Sequence, residues 1–151
     1  MDNTGKEKIE AIFLDMHGIT EAQWNMKAFS KMYKLRLLKI NNVQLFDGPE
    51  DLSNKLRFLE WHFYPSKSLQ ACLQVDLLVE LHMPNSSIEQ LWNGHKRAFS
   101  LKIIDLSNSL SLVRTPDFTS IPNLESVSFL KVVQVCMRST HHLDIIRSFN
   151  M

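Results

Sequence analysis

Along this chain one apolar skeleton keeps returning: a Leu, two free positions, a Leu or Val or Ile, one free position and a further apolar residue. It stands at Leu78-Val-Glu-Leu81-His-Met83, and again at Leu35-Arg-Leu-Leu38-Lys-Ile40, Leu56-Arg-Phe-Leu59-Glu-Trp61, Leu101-Lys-Ile-Ile104-Asp-Leu106 and Leu124-Glu-Ser-Val127-Ser-Phe129. The copies begin at 35, 56, 78, 101 and 124, steps of 21, 22, 23 and 23 residues. Apolar residues two apart predict a short strand in each copy, with its flanking residues pointing the other way. A lone strand of this kind cannot hide its apolar side, so the copies must stack.

Repeats of roughly 20 to 29 residues with this spacing are leucine-rich repeats. The predicted fold is α/β: a solenoid of about five to six repeats, with short parallel strands on the concave face and short helical or 3₁₀ returns on the convex face. Residues 1–8 read as a flexible polar leader. Residues 9–34 read as a degenerate first repeat, Ile9-Glu-Ala-Ile12-Phe-Leu14, and a linker helix in which Thr20 caps Trp24, Met26, Phe29 and Met32 near helical spacing. Leucine-rich repeats occupy 35–130, and a divergent tail without the Leu spacing occupies 131–151. The returns include a turn and helix start at Asp47-Gly-Pro-Glu-Asp, a helical or 3₁₀ segment at Ser86 to Trp92, and a loop with two prolines from Thr115 to Leu124.

Composition narrows the function classes. A formal net charge of +1 argues against nucleic acid or an anionic membrane as a partner. Apolar runs break long before the roughly 20 residues a membrane span needs, and the N-terminus lacks the basic start and apolar run of a secretion signal. Two cysteines, Cys72 and Cys136, provide no disulfide framework, which suits a cytoplasmic or nuclear home. The Asn85-Ser-Ser sequon would act only in the secretory pathway.

The run Ile9 to Asp15, then Ala28-Phe29-Ser-Lys-Met32-Tyr-Lys-Leu35 through Ile40, resembles the point where the nucleotide-binding module of plant TIR-type NLR disease-resistance proteins passes into its repeats. Leu56 to Trp61 with Tyr64-Pro65, Leu78 to Trp92, and Leu101 to Leu110 with Thr115-Pro-Asp-Phe118 and Ile121-Pro-Asn-Leu124 are similar to that family's first repeats. The likeness covers roughly residues 7 to 127. It implies a protein-recognition and autoinhibition fragment of an intracellular immune receptor, taking part in defence signalling. The family's TIR and nucleotide-binding modules are not in this sequence, and Gly5, Gly18, Gly48 and Gly94 are wrongly spaced for a phosphate loop. ADP or ATP binding and NAD cleavage therefore belong to the parent, and the chain reads as a truncated product that is not an enzyme and needs no cofactor. The rival classes are an extracellular leucine-rich-repeat ectodomain and a pseudogene-like product without function of its own.

The outward strand positions form three columns: Leu37, Phe58, Glu80, Ile103 and Ser126; Lys39, Glu60, His82, Asp105 and Ser128; Asn41, His62, Pro84 and Ser107. From these, Lys39, Asn41, Phe58, Glu60, His62, Glu80, His82, Ile103, Asp105 and Ser107 are the expected protein-binding residues. Under the resemblance the partner is a pathogen effector, a guarded host protein or the parent's nucleotide-binding module. Glu80, His82 and Asp105 have acid/base or metal-ligand chemistry, but an open strand face offers no cleft. Cys136 with His141 and His142 is half a zinc site at best. Cys72 reads as a small buried hydrophobe, Trp24, Trp61 and Trp92 as packing, and His95-Lys96-Arg97 as a solvated basic turn.

Overall fold

The computed structural model describes residues 6–22, 25, 27–71 and 73–129. Each skeleton copy forms one rung of a single parallel sheet: β1 (Ala11–Ala22), β2 (Leu37–Leu45), β3 (Phe58–Trp61), β4 (Glu80–His82), β5 (Ile103–Asp105) and β6 (Ser126–Ser128), neighbours in sequence order. The register follows the skeleton. Ile12, Leu38, Leu59, Leu81, Ile104 and Val127 lie in one row across the six strands.

That row and its companions make the core. Leu35, Leu38, Ile40, Leu56, Leu59, Trp61, Leu78, Leu81, Met83, Leu101, Ile104 and Leu106 are all buried to within 1% of their surface. At the two ends the packing thins, with Ile9 and Ile12 on one side and Leu124 and Val127 on the other only partly buried. An end rung has a neighbour on one side alone, so its core face is half covered.

The returns depart from expectation because backbone ladders, rather than helices, hold them. No α-helix forms among the described residues. The helix expected over 20–32 is replaced by two other conformations. Thr20 lies in β1 opposite Val43, in extended backbone rather than at a helix start. Residues 25 and 27–35 then carry successive turn bonds, Ala28 N–H to Asn25 O at 2.8 Å, Met32 N–H to Phe29 O at 2.8 Å and Leu35 N–H to Met32 O at 2.9 Å. Bonds three residues apart put Phe29, Met32 and Leu35 on one buried side, which mimics helical spacing over so short a run. Trp24 and Met26 lie outside the described residues, as do Cys72 and the tail from 130. Of the expected leader, Lys6–Lys8 form an exposed 3₁₀ turn.

Ser86 to Trp92 is not helical. It bends at Glu89 and Leu91, and Gln90 between them bridges Arg114 in parallel. Glu89 N–H and Gln90 N–H reach Lys67 O at 2.8 and 3.2 Å, and Val113 N–H reaches Glu89 O at 2.9 Å. A second, shorter ladder thus joins rungs three to five on the return side. Residues 47–51 make bends without a helix start. The proline loop is present and carries a 3₁₀ turn, Phe118–Ser120, capped by the Asp117 carboxylate accepting from Thr119 N–H at 3.0 Å.

In four of the rungs the chain turns through a left-handed residue, Asn42 within β2 and Phe63, Asn85 and Asn108 just past β3, β4 and β5, with φ between 57° and 59°. Each stands seven residues after the first Leu of its rung. Asn tolerates this conformation, whereas a bulky Phe is strained there.

Candidate protein-binding face

Because strands alternate, the residues between the core rows all face the opposite, concave side. The register sets Ala11, Leu37, Phe58, Glu80, Ile103 and Ser126 in one row, and Phe13, Lys39, Glu60, His82, Asp105 and Ser128 in the next. Asp15 and Asn41 pair at the start of a third row, which His62 continues one residue beyond its strand and Pro84 and Ser107 two residues beyond theirs.

Nine of the ten expected residues are half-buried on this face, and Asn41 is the exception. It is 7% exposed, and its side chain helps to lower the Glu60 carboxyl by hydrogen bonding. The cause lies in the next residue. Left-handed Asn42 turns the chain and reverses the alternation, so β2 buries Leu38 and Ile40 before it and Val43 and Leu45 after it.

The polar groups form two clusters. In the first, Lys39 Nζ lies 3.1 Å from Glu60 Oε2 and His62 Nε2 lies 3.2 Å from Glu60 Oε1. Burial pushes the Glu60 carboxyl up, but the hydrogen bonds from Asn41 and Lys39 and the charges of Lys39 and His62 outweigh it, holding the group below its ordinary value.

In the second cluster, His82 Nε2 lies 3.1 Å from Glu80 Oε2, and its Nδ1 stands 3.9 Å from Asp105 Oδ2. Asp105 Oδ1 accepts from Ser107 N–H at 2.9 Å and from Ser107 Oγ at 2.5 Å. The imidazole also faces the Phe58 ring, centroids 5.5 Å apart. At 3.9 Å the Nδ1 contact is beyond hydrogen-bond distance, so Asp105 Oδ2 keeps its acceptor capacity.

Glu80, His82 and Asp105 do come together, on an open sheet rather than in a cleft. Among the described residues no group of three His, Cys, Asp or Glu side chains is arranged to hold a metal ion. Two shallow hollows of about 280 and 300 Å³ lie elsewhere, one beside Leu73 and Lys96, the other beside Phe29 and Tyr33. In the first, Lys96 Nζ is tied to the carbonyls of Ala71 and Leu73, so that part of the basic turn braces the neighbouring return.

Phe13 is the functional candidate that the strand columns missed. It is 67% exposed and continues the row of Lys39 and Glu60. Its signal was present in the degenerate copy Ile9, Ile12, Leu14, whose intervening residues had to face outward.

A Leucine Rich Repeat family model matches residues 78–96, which span β4 and its return. The chain is 36% identical to Disease resistance protein RPV1 of Vitis rotundifolia over 80% of its length, and 32% identical to Disease resistance protein RML1A of Arabidopsis thaliana over 96%. It is 33% identical to TMV resistance protein N of Nicotiana glutinosa over 93% of its length. These matches span only 11, 16 and 12% of the respective relatives. No solved structure matches the chain. Six in-register rungs with a repeat match at β4, and similarity to these resistance proteins across most of the chain, place it as a leucine-rich-repeat segment belonging to the plant TIR-type disease-resistance protein family.

Proposed function

We propose that this segment recognises protein and restrains signalling within an intracellular plant immune receptor, by contact rather than by chemistry. The observation that carries this is the concave face, an uninterrupted sheet surface six strands wide. The partners that suit it are a pathogen effector, a guarded host protein or the receptor's own nucleotide-binding module, in the cytoplasm or nucleus. Nucleotide exchange and NAD cleavage fall to other parts of the receptor. Among the described residues no helix is long and apolar enough to cross a membrane.

Restraint is supported by the N-terminal edge. Among the described residues strand β1 has a neighbour on one side only, and Leu14 and Met16 are exposed on it by 39 and 41%. An edge strand with open backbone groups and apolar side chains is covered in a working assembly. In the receptor the module preceding the repeats is placed to cover it.

The test is deletion of this segment from a full-length receptor of the family that carries it, followed by transient expression in leaf tissue. Autonomous cell death is expected. A receptor that stays silent without the segment, at equal protein level, contradicts restraint.

A further inference from the structure

We propose that the concave face takes an extended protein segment carrying a cationic side chain, seated at Glu80 and Asp105, and an apolar side chain, seated against Phe13 and Leu37. This rests on the concave face being the contact surface, and it adds the chemistry of the partner.

Charge complementarity carries it. The three rows hold the carboxylates of Asp15, Glu60, Glu80 and Asp105 and one permanent cation, Lys39, a balance of −4 + 1 = −3. The whole chain is +1, so this face is acidic against the sign of the rest. The rim beside it is close to balance, since Arg36 pairs with Glu10 at 3.9 Å and Lys102 with Glu125 at 2.7 Å, leaving Arg57.

The excess is not evenly spread. Glu60 is neutralised by Lys39 and hydrogen-bonded by Asn41, and Asp15 accepts from Asn42 Nδ2 at 2.7 Å. Among the described residues His82 is the one ionic neighbour of Glu80 and Asp105, 3.1 and 3.9 Å away, and Ser107 occupies Asp105 Oδ1 but leaves Oδ2 open. Phe58 and Ile103 flank Glu80 on the adjacent strands. A carboxylate pair flanked by apolar side chains suits a guanidinium or ammonium group, which gains charge-assisted hydrogen bonds in partly desolvated surroundings. Rungs repeat at about 4.8 Å, so Phe13 on the first strand and Glu80 on the fourth are about 14 Å apart. An extended partner covers that in about four residues.

The experiment pans a display library of random twelve-residue peptides on the full chain, on Glu80→Gln/Asp105→Asn, on Phe58→Ala and on the return-side control Glu89→Gln, each checked for fold by circular dichroism. Both carboxylate replacements keep shape and remove charge. Wild type and control should enrich Arg or Lys about four positions from Leu, Ile or Phe. Those peptides should bind the double variant about tenfold more weakly, with the difference shrinking in high salt. Peptides without a cation whose binding fails on Phe58→Ala overturn this proposal and leave the concave face as the contact surface. Cationic peptides that bind the double variant undiminished overturn it as well. Peptides indifferent to every concave substitution, or no enrichment at all, overturn both.

Discussion

Ser86 Oγ lies 2.8 Å from Ser109 Oγ, inside the solenoid and one rung apart. Both side chains are buried, and each stands eight residues after the first Leu of its rung. Ser109 Oγ donates to Met83 O at 3.0 Å, which spends its only proton. Ser86 must therefore be the donor between the two hydroxyls, and Ser109 Oγ also accepts from Ser86 N–H at 3.1 Å. Three polar groups of rung four depend on one hydroxyl of rung five.

That asymmetry orders two substitutions. Ser109→Ala leaves Ser86 N–H, Ser86 Oγ and Met83 O without their partner and should cost about 2 to 3 kcal/mol. Ser86→Ala removes a donor while Ser109 keeps two bonds, and should cost about 1 kcal/mol. Urea unfolding followed by circular dichroism checks the order, and equal losses would contradict the donor assignment.

The left-handed corners make a second contrast. Asn85→Ala should cost about 1 kcal/mol, because Ala pays the full left-handed penalty, and Asn85→Gly should be close to neutral. Phe63 carries the same strain at φ 59° and is half-buried. Phe63→Asn should relieve that strain and stay within about 1 kcal/mol of the parent.

Core losses should grade with position in the stack. Leu81→Ala, at 0% exposure in the middle, should cost about 3 to 5 kcal/mol. Val127→Ala, partly buried on the last strand, should cost about 1 kcal/mol or less. Denaturant midpoints of the two variants decide it.

Glu60 sets a pH dependence. Its carboxyl is held below 4.5 in the folded state, so the folded chain binds fewer protons than the unfolded one across that range. The stability this contributes is complete above the unfolded value and is lost as pH falls through the folded one. Glu60→Gln should therefore flatten the fall in thermal midpoint between about pH 5 and pH 3. An unchanged slope would mean that Asn41 and Lys39 do not hold the carboxylate as described.

The strands were legible because Leu59, Leu81 and Ile104 must be buried together, and a two-residue alternation leaves their register no freedom. Even the weak copy at Ile12 follows the same row. The returns were not legible. Phe29, Met32 and Leu35 are three apart, a spacing that a helix and a chain of 3₁₀ turns share, and only the ladder offered by Val43 keeps Thr20 extended. On the concave face, Lys39, Glu60, His82 and Asp105 follow from the alternation directly. Asn41 was misjudged because one left-handed residue after it resets the phase, and no pattern of apolar residues announces that. The Asn at positions 42, 85 and 108, each seven after a rung's first Leu, was the available signal.

Everything proposed for the concave face depends on six strands lying in register. Spin labels on Ala11→Cys paired with Ile103→Cys, and on Ala11→Cys paired with Ser126→Cys, in a chain with Cys72 and Cys136 replaced by Ser, measure this by pulsed electron resonance. Four and five rung steps correspond to about 19 and 24 Å between backbones, so two narrow distributions should differ by about 5 Å. Broad distributions, or a Ser126 distance no longer than the Ile103 distance, would contradict the stacked sheet.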